Sequence, residues 1–445
     1  MSHPQDLPLR EQAAAVAGGD LDRAELLSAT LARIEERNGD LNAVVATFPE
    51  ESERMLNDAP GGPLHGVPVA IKDEWSLPWR GARNGSAREV VPPCASGVFR
   101  LLRDAGAVVV GVTNMHFWGA GTTGHLSAYG PVGNPWDPAR CAGGSSGGSA
   151  SSVGSRMLAA AVGSDGGGSV RVPAAYCGLT GLKLTNNVVP LDGHTQQHSP
   201  LEAVGPLCRD AADARLFGSV LLDRQLAAGD GAGLRVAMVR DPYWSDIDPA
   251  VETACREALE ASGWRVEEVA LDGVRHALTA LVVIITVGAL PEFDEEDVAG
   301  ADKLMQALVK YEKLLPAEAY HRATRIRSQL RRSVAAAFET YDALVWPTLA
   351  AGAPTIESPV VERPSGPSPA DPANVGQAAV GNLTGIPGIS VPVGRDANGM
   401  PIGLMIQAPW GAEELLLDAA EHLERATDRE FVDAVPPVAA AARTP

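Results

Sequence analysis

The sequence predicts an α/β fold in which a mixed or parallel sheet carries helices on its faces. Helical and strand patterns alternate along the chain, as in residues 235–239, 250–262 and 265–269. Such alternation builds a sheet covered by helices. Residues 108–112 are apolar without a break, which fits a strand buried on both faces. Hydrophobic residues make up 45% of the 445-residue chain, enough for the core of one elaborated α/β domain.

Taken in order, residues 20–38 read as an amphipathic helix. Leu27, Leu31 and Ile34 share one face, and Gly39 supplies a stop. Residues 67–71 form a short apolar strand despite Pro68, and 97–105 are helical. In the stretch 143–173, two glycine–serine turns flank one short helical piece. Residues 303–339 are long, charged and helical, with a break at Pro316. Residues 341–346 and 388–393 predict further core strands. Residues 350–372 are proline-rich and read as a long loop, 415–424 as a helix and 434–445 as a loose tail. No internal repeat is visible.

The net charge of −19 argues against nucleic acid or an anionic membrane as a main partner. Cys94, Cys141, Cys177, Cys208 and Cys255 form no CxxC pair, which fits free thiols in a reducing cytoplasm. Residues 1–10 hold acidic and proline residues and no apolar core, so no signal peptide is expected there. The longest apolar run, 280–290, is too short to span a bilayer.

The chemistry concentrates in 143–173. Glycine–serine runs are often flexible linkers. Two features oppose that reading here: the apolar segment 157–162, which must be buried, and the charges of Asp165 and Arg171 around the second turn. In that turn, the successive N–H groups of Gly166, Gly167, Gly168 and Ser169 can form a concave nest for a negative oxygen. Ser169 at its end would attack a carbonyl whose oxygen sits there. Lys72 ends an apolar strand. Most lysines lie on the surface, but this setting favours a desolvated one with a lowered pKa, able to accept a proton.

Residues 143–174 resemble the signature of the amidase signature family. So do the flanking Gly66-Val67-Pro68-Val69-Ala70-Ile71-Lys72-Asp73, Gly133-Asn134-Pro135-Trp136-Asp137-Pro138 and Asn382-Leu383-Thr384-Gly385-Ile386-Pro387. The likeness covers roughly residues 21–425. It implies a central mixed, twisted β-sheet covered by helices on both faces, in one domain spanning 1–433. Within that span, 1–60 would be an N-terminal helical segment, 61–215 and 340–425 the catalytic core, and 216–339 a variable region over the substrate. That region is short, which would leave the pocket less covered. The resemblance further implies Ser169 as nucleophile, Ser145 as bridging serine after a cis Gly144–Ser145 bond, and Lys72 as base. The N–H groups from Gly166 to Ser169 would be the oxyanion hole. Asp165 and Arg171 are expected to hold the loop, and Ser146 to be either a hydrogen-bonding neighbour of the site or a plain turn residue. Phe117 and Trp118 stand where the family often has glutamate, which suggests an apolar or aromatic pocket, with Gly119, Gly121 and Thr122 beside them.

The implied activity is hydrolysis of a small-molecule amide through an acyl-enzyme, with no cofactor and no metal. The oligomeric state stays open, a homodimer among the options. Alternatives are a hydrolase of carbamoyl or urea-like compounds, the amide-cleaving subunit of a tRNA-dependent amidotransferase, and a catalytically silent scaffold. Residues 119–124 satisfy GxGxxG, but open no helix in a βαβ setting, so a dinucleotide site is rejected. His194 and His198 lack a supporting cysteine or carboxylate cluster for a metal; that loop reads as pocket wall or, preferably, surface. Trp118, Trp346 and Trp410 are more often core than ligand platforms.

Overall fold

The computed structural model describes residues 3–92, 94, 96–195, 199–288, 298–301, 303–427 and 436–437. His198 and most of the expected tail lie outside them. The strands, in chain order, are β1 Val44–Thr47, β2 Pro68–Lys72, β3 Val108–Thr113, β4 Ala160–Ser164, β5 Thr180–Lys183, β6 Val204–Cys208, β7 Arg235–Val239, β8 Arg265–Val269, β9 Ala343–Pro347, β10 Val360–Val361, β11 Ser368–Pro369, β12 Gly388–Arg395 and β13 Pro401–Gln407. Eleven of them form one sheet in the order β1-β3-β2-β4-β6-β5-β12-β13-β9-β7-β8. The mixed option holds, and in a segregated way. β3, β2 and β4 are parallel, as are β9, β7 and β8, while the strands between β4 and β9 pair antiparallel.

Strand residues alternate between two faces, and here both faces are buried. Val69, Ile71, Val109 and Val112 join one apolar cluster, while Ala70, Val108 and Val110 join another. Thirteen α-helices among the described residues flank the sheet.

Three expectations need correction. The first long helix is Arg23–Leu41, capped by the Asp22 carboxylate, which accepts from the N–H groups of Ala24 and Glu25 at 2.8 and 3.0 Å. It runs through Gly39 and stops at Asn42, whose φ is 49°. A mid-helix glycine costs about 1 kcal/mol, less than burying Leu41 returns. The first glycine–serine run is itself the start of a helix, Gly147–Gly154, and the apolar segment after it supplies β4. The proline-rich stretch contains the β10–β11 hairpin, and the helix Ala370–Thr384 begins inside it.

β2 and β4 place the site. They run side by side and parallel, with Ile71 opposite Val162, so Lys72 and Ser164 end adjacent strands at the same edge. Carboxyl ends of parallel strands are where α/β sheets bind ligands. Over that edge lie the helices Ala277–Gly288 and Lys303–Tyr311. The apolar run seen in the sequence, as far as residue 288, is thus part of a covering helix: Ala277, Ala280, Leu281 and Ile284 are buried, and Leu278, Leu281, Val282 and Ile285 also line a cavity beneath it. Both helices belong to the region 216–339 expected to lie over the substrate. No helix among the described residues is long and apolar enough to cross a membrane.

Candidate active site

Lys72, Ser145 and Ser169 are all buried, and the two serines open on one cavity of ≈ 270 Å³. Lys72 Nζ lies 2.9 Å from Ser145 Oγ and 2.9 Å from Ser164 Oγ. The Gly144–Ser145 peptide is cis. The two glycine–serine turns are tied together directly: Ser146 N–H donates to the Ser169 carbonyl at 3.2 Å, and Ser146 Oγ donates to the Ser164 carbonyl at 3.2 Å. Ser146 therefore fastens the turns from behind.

Asp165 and Arg171, both fully buried, hold the second turn. The guanidinium meets Asp165 through Nε at 3.0 Å and Nη2 at 2.9 Å, and Asn382 Nδ2 donates to the same carboxylate at 2.9 Å. Burial works against this carboxylate. The Arg171 pair outweighs it, with Lys183 and Asn382 adding to the effect, and keeps Asp165 well below the usual carboxylate range. Asp165 Oδ1 also accepts from Gly168 N–H at 2.8 Å. That corrects the four-donor nest, because the Gly168 amide is committed inside the loop. The amides of Gly166, Gly167 and Ser169 make no hydrogen bond with described residues.

Lys72 is as buried as the sequence implied, but its head is not among apolar groups alone. Glu74, one tight turn on, places Oε2 3.0 Å from Nζ, its N–H bonding back to the Lys72 carbonyl at 2.7 Å. His194 Nε2 stands 3.4 Å from Glu74 Oε1. This histidine is buried, its ring edge-on to Trp75, which overturns the preference for a surface loop. Burial would raise the Glu74 carboxyl; Lys72 and His194 outweigh it and hold it at about 2. Glu202, buried in the same group, behaves in the opposite way. Burial pushes it up to about 7, with Glu74 adding to the rise against the pull of His194 and Lys72. Sequence reasoning missed Glu74, Ser164 and Glu202, and placed His194 only as pocket wall or surface. The one signal available was Glu74, two residues beyond Lys72 on the run-out of an apolar strand.

The cavity wall is largely apolar, with Trp118, Leu281, Ile285, Met305, Leu308 and Val375. Gly119, Gly121 and Thr122 line it as expected, whereas Phe117 packs behind, against Val298, Met305 and Val309. Both sit in a single 3₁₀ turn, Phe117–Gly119, in which Trp118 adopts φ 51°; both join one apolar cluster, and Trp118 also reaches the cavity. Within the rejected GxGxxG, Gly121 is glycine because a Cβ there would lie 2.3 Å from the His116 ring. Thr122 donates to Asp371 Oδ1 from N at 2.5 Å and from Oγ1 at 2.7 Å. Among the described residues no group of three His, Cys, Asp or Glu could hold a metal ion. Lys183 is buried too, but its Nζ donates to the carbonyls of Leu184 and Ile386 and it does not line the cavity.

Comparison with known proteins gives a consistent answer. Residues 25–417 match the family described as Amidase. One of the subunits of the glutamyl-tRNA(Gln) amidotransferase from Chromohalobacter salexigens is 33% identical, over 95% of this chain and 97% of that one. The solved structure of an amidase superposes with a TM-score of 0.88 at 27% identity, covering 95% of this chain and all of the other. A 6-aminohexanoate cyclic dimer hydrolase, solved with its substrate, gives 0.81 at 25% identity, over 98% and 99% of the two chains.

Proposed function

The chain belongs to the amidase signature family and is an amide-cleaving enzyme; from that premise we propose that it hydrolyses a small-molecule amide through an acyl-enzyme on Ser169. The observation that carries the reading is the 2.9 Å approach of Lys72 Nζ to Ser145 Oγ, at the floor of a cavity that Ser169 also lines. In the neutral state Lys72 has two N–H groups and one lone pair. Glu74 Oε2 and Ser164 Oγ can accept the two N–H groups, which leaves the lone pair for the Ser145 hydroxyl. Ser145 then takes the Ser169 proton as Ser169 Oγ attacks the amide carbon. The developing oxyanion is received by the amides of Gly166, Gly167 and Ser169, worth about 3–4 kcal/mol per aligned donor. The same path in reverse protonates the leaving amine, and water resolves the ester.

This reading takes a small molecule as partner, no nucleic acid, no membrane and a cytoplasmic setting, with a homodimer compatible. Its test is amine release from a panel of simple amides together with fluorophosphonate labelling mapped to Ser169. Labelling elsewhere would sink it.

The names of the relatives favour a second reading, the amide-cleaving part of an amidotransferase, which would need partner subunits and would reveal them on co-purification. One feature weighs against it. An amide donor that is itself an amino acid carries a carboxylate, and no lysine or arginine lines the cavity among the described residues.

A further inference from the structure

Three carboxylates face the cavity, and two of them are engaged. Glu74 is held by Lys72 and reached by His194; Asp371 accepts twice from Thr122. Glu202 differs. It is 4% exposed, and its Oε1, although buried, finds no hydrogen-bond donor among the described residues. Its other oxygen lies against the oxyanion loop: a Cβ added to Gly166 would sit 2.5 Å from Glu202 Oε2. Glu202 is therefore beside the place where the scissile carbonyl must lie if Ser169 is the nucleophile.

A buried carboxylate without a cation is costly, and a partner cation converts that cost into a charge-assisted hydrogen bond. The lysine of the site, Lys72, already has Glu74 and two serine hydroxyls around it. No arginine or lysine lines the cavity among the described residues.

We propose that Glu202 is a specificity-determining residue that receives a positively charged nitrogen of the substrate. The preferred amides then carry an ammonium or amidinium a few bonds from the scissile carbonyl, and an apolar group against the covering helix Ala277–Gly288. The inference rests on the proposed function for the position of that carbonyl. Burial pushes the Glu202 carboxyl up and Glu74 adds to the rise, while His194, Lys72 and the Ser164 hydroxyl offset only part of it.

The test is calorimetric binding to the Ser169→Ala variant, which removes turnover. The ligands are 3-amino-4-phenylbutanamide and 4-phenylbutanamide, which differ only by the amine, at mildly alkaline pH where Glu202 and the amine are both charged. The charged amide should bind about tenfold tighter or more, and the gap should close to within about twofold in Ser169→Ala/Glu202→Gln. Equal affinities in Ser169→Ala, no binding of either amide, or a gap that survives Glu202→Gln would each overturn the proposal. Failure of the wild-type chain to hydrolyse either amide counts against the proposed function alone, because the binding comparison does not use the nucleophile.

Discussion

Glu74 Oε2 stands 3.0 Å from Lys72 Nζ, within a site where both side chains are almost wholly buried. A carboxylate at that distance stabilises the ammonium form, while a base must be unprotonated to act. Glu74→Gln keeps an acceptor oxygen at the same place and removes the charge. The acid limb of kcat/KM should therefore move to lower pH. A pH–rate profile of wild type and variant measures it. A limb that stays in place means that the carboxylate does not govern the base.

Removing the nucleophile or fixing the base should be equally damaging. Ser169→Ala and Lys72→Arg are each expected to lose about four orders of magnitude or more in kcat, as residues acting as one unit do. Guanidinium cannot give up its proton at accessible pH, so size and charge alone do not rescue Lys72. Ser145→Ala should suffer less, since water can relay the proton in its place. Near wild-type kcat in Lys72→Arg would refute the lysine base.

How much of this was legible depends on whether the signal is local. Lys72 at the end of an apolar run, and serines beside glycines, are local patterns, and so are the strands 108–112 and 388–393. The partners of Lys72 are not. Glu202 and His194 arrive from a distant loop, and nothing in their own neighbourhood marks them as buried. The commitment of the Gly168 amide to Asp165 depends on the exact path of the turn, since Gly168 has φ 108°. Phe117 and Trp118 are indistinguishable as adjacent aromatics in sequence; in the fold they share one apolar cluster, and only Trp118 also lines the cavity. Gly39 misled because a glycine stop is a local preference, and the buried Leu41 beyond it is a tertiary one.

Those two aromatics now have separable roles. Trp118→Ala should raise KM for aryl amides by a factor corresponding to about 1.5–3 kcal/mol of lost apolar contact. Phe117→Ala should instead lower stability by about 3–5 kcal/mol through the cavity it leaves behind the wall. Urea unfolding and steady-state kinetics on both variants separate the effects. Wild type should also prefer an aryl amide to acetamide in kcat/KM, and a ratio near or below one sets the apolar wall aside as a recognition surface.

Asp165→Asn tests the loop. The carboxylate serves Arg171 twice, Asn382 and the Gly168 amide, all without solvent. An amide cannot neutralise the buried guanidinium, and leaving one partner of such a pair costs about 3–5 kcal/mol. The denaturation midpoint should fall accordingly, and Ser169 labelling should slow because the turn loses its anchor. Unchanged stability with unchanged labelling would show that Asp165 is dispensable.

Glu202 makes the last prediction, and its sign is the reverse of the usual carboxylate. An ordinary glutamate that is held low when folded adds stability above its unfolded pKa. Glu202 is pushed up, from an ordinary 4.5 to about 7. Below 4.5 both folded and unfolded chains hold the proton, so the group is neutral in effect. Between 4.5 and 7 the unfolded chain releases the proton while the folded one keeps it, so stability falls as pH rises. Above that window the penalty is complete, roughly 3 kcal/mol at the full shift. Glu202→Gln abolishes the titration and keeps the shape. The variant should therefore gain stability relative to wild type as pH climbs from mildly acidic to mildly alkaline, read as a widening difference in Tm. A bound cationic amide should narrow that difference, because it adds to the partial compensation that His194 and Lys72 give the ionised carboxylate. A Tm difference that does not change with pH would show that Glu202 titrates alike in the folded and unfolded chains.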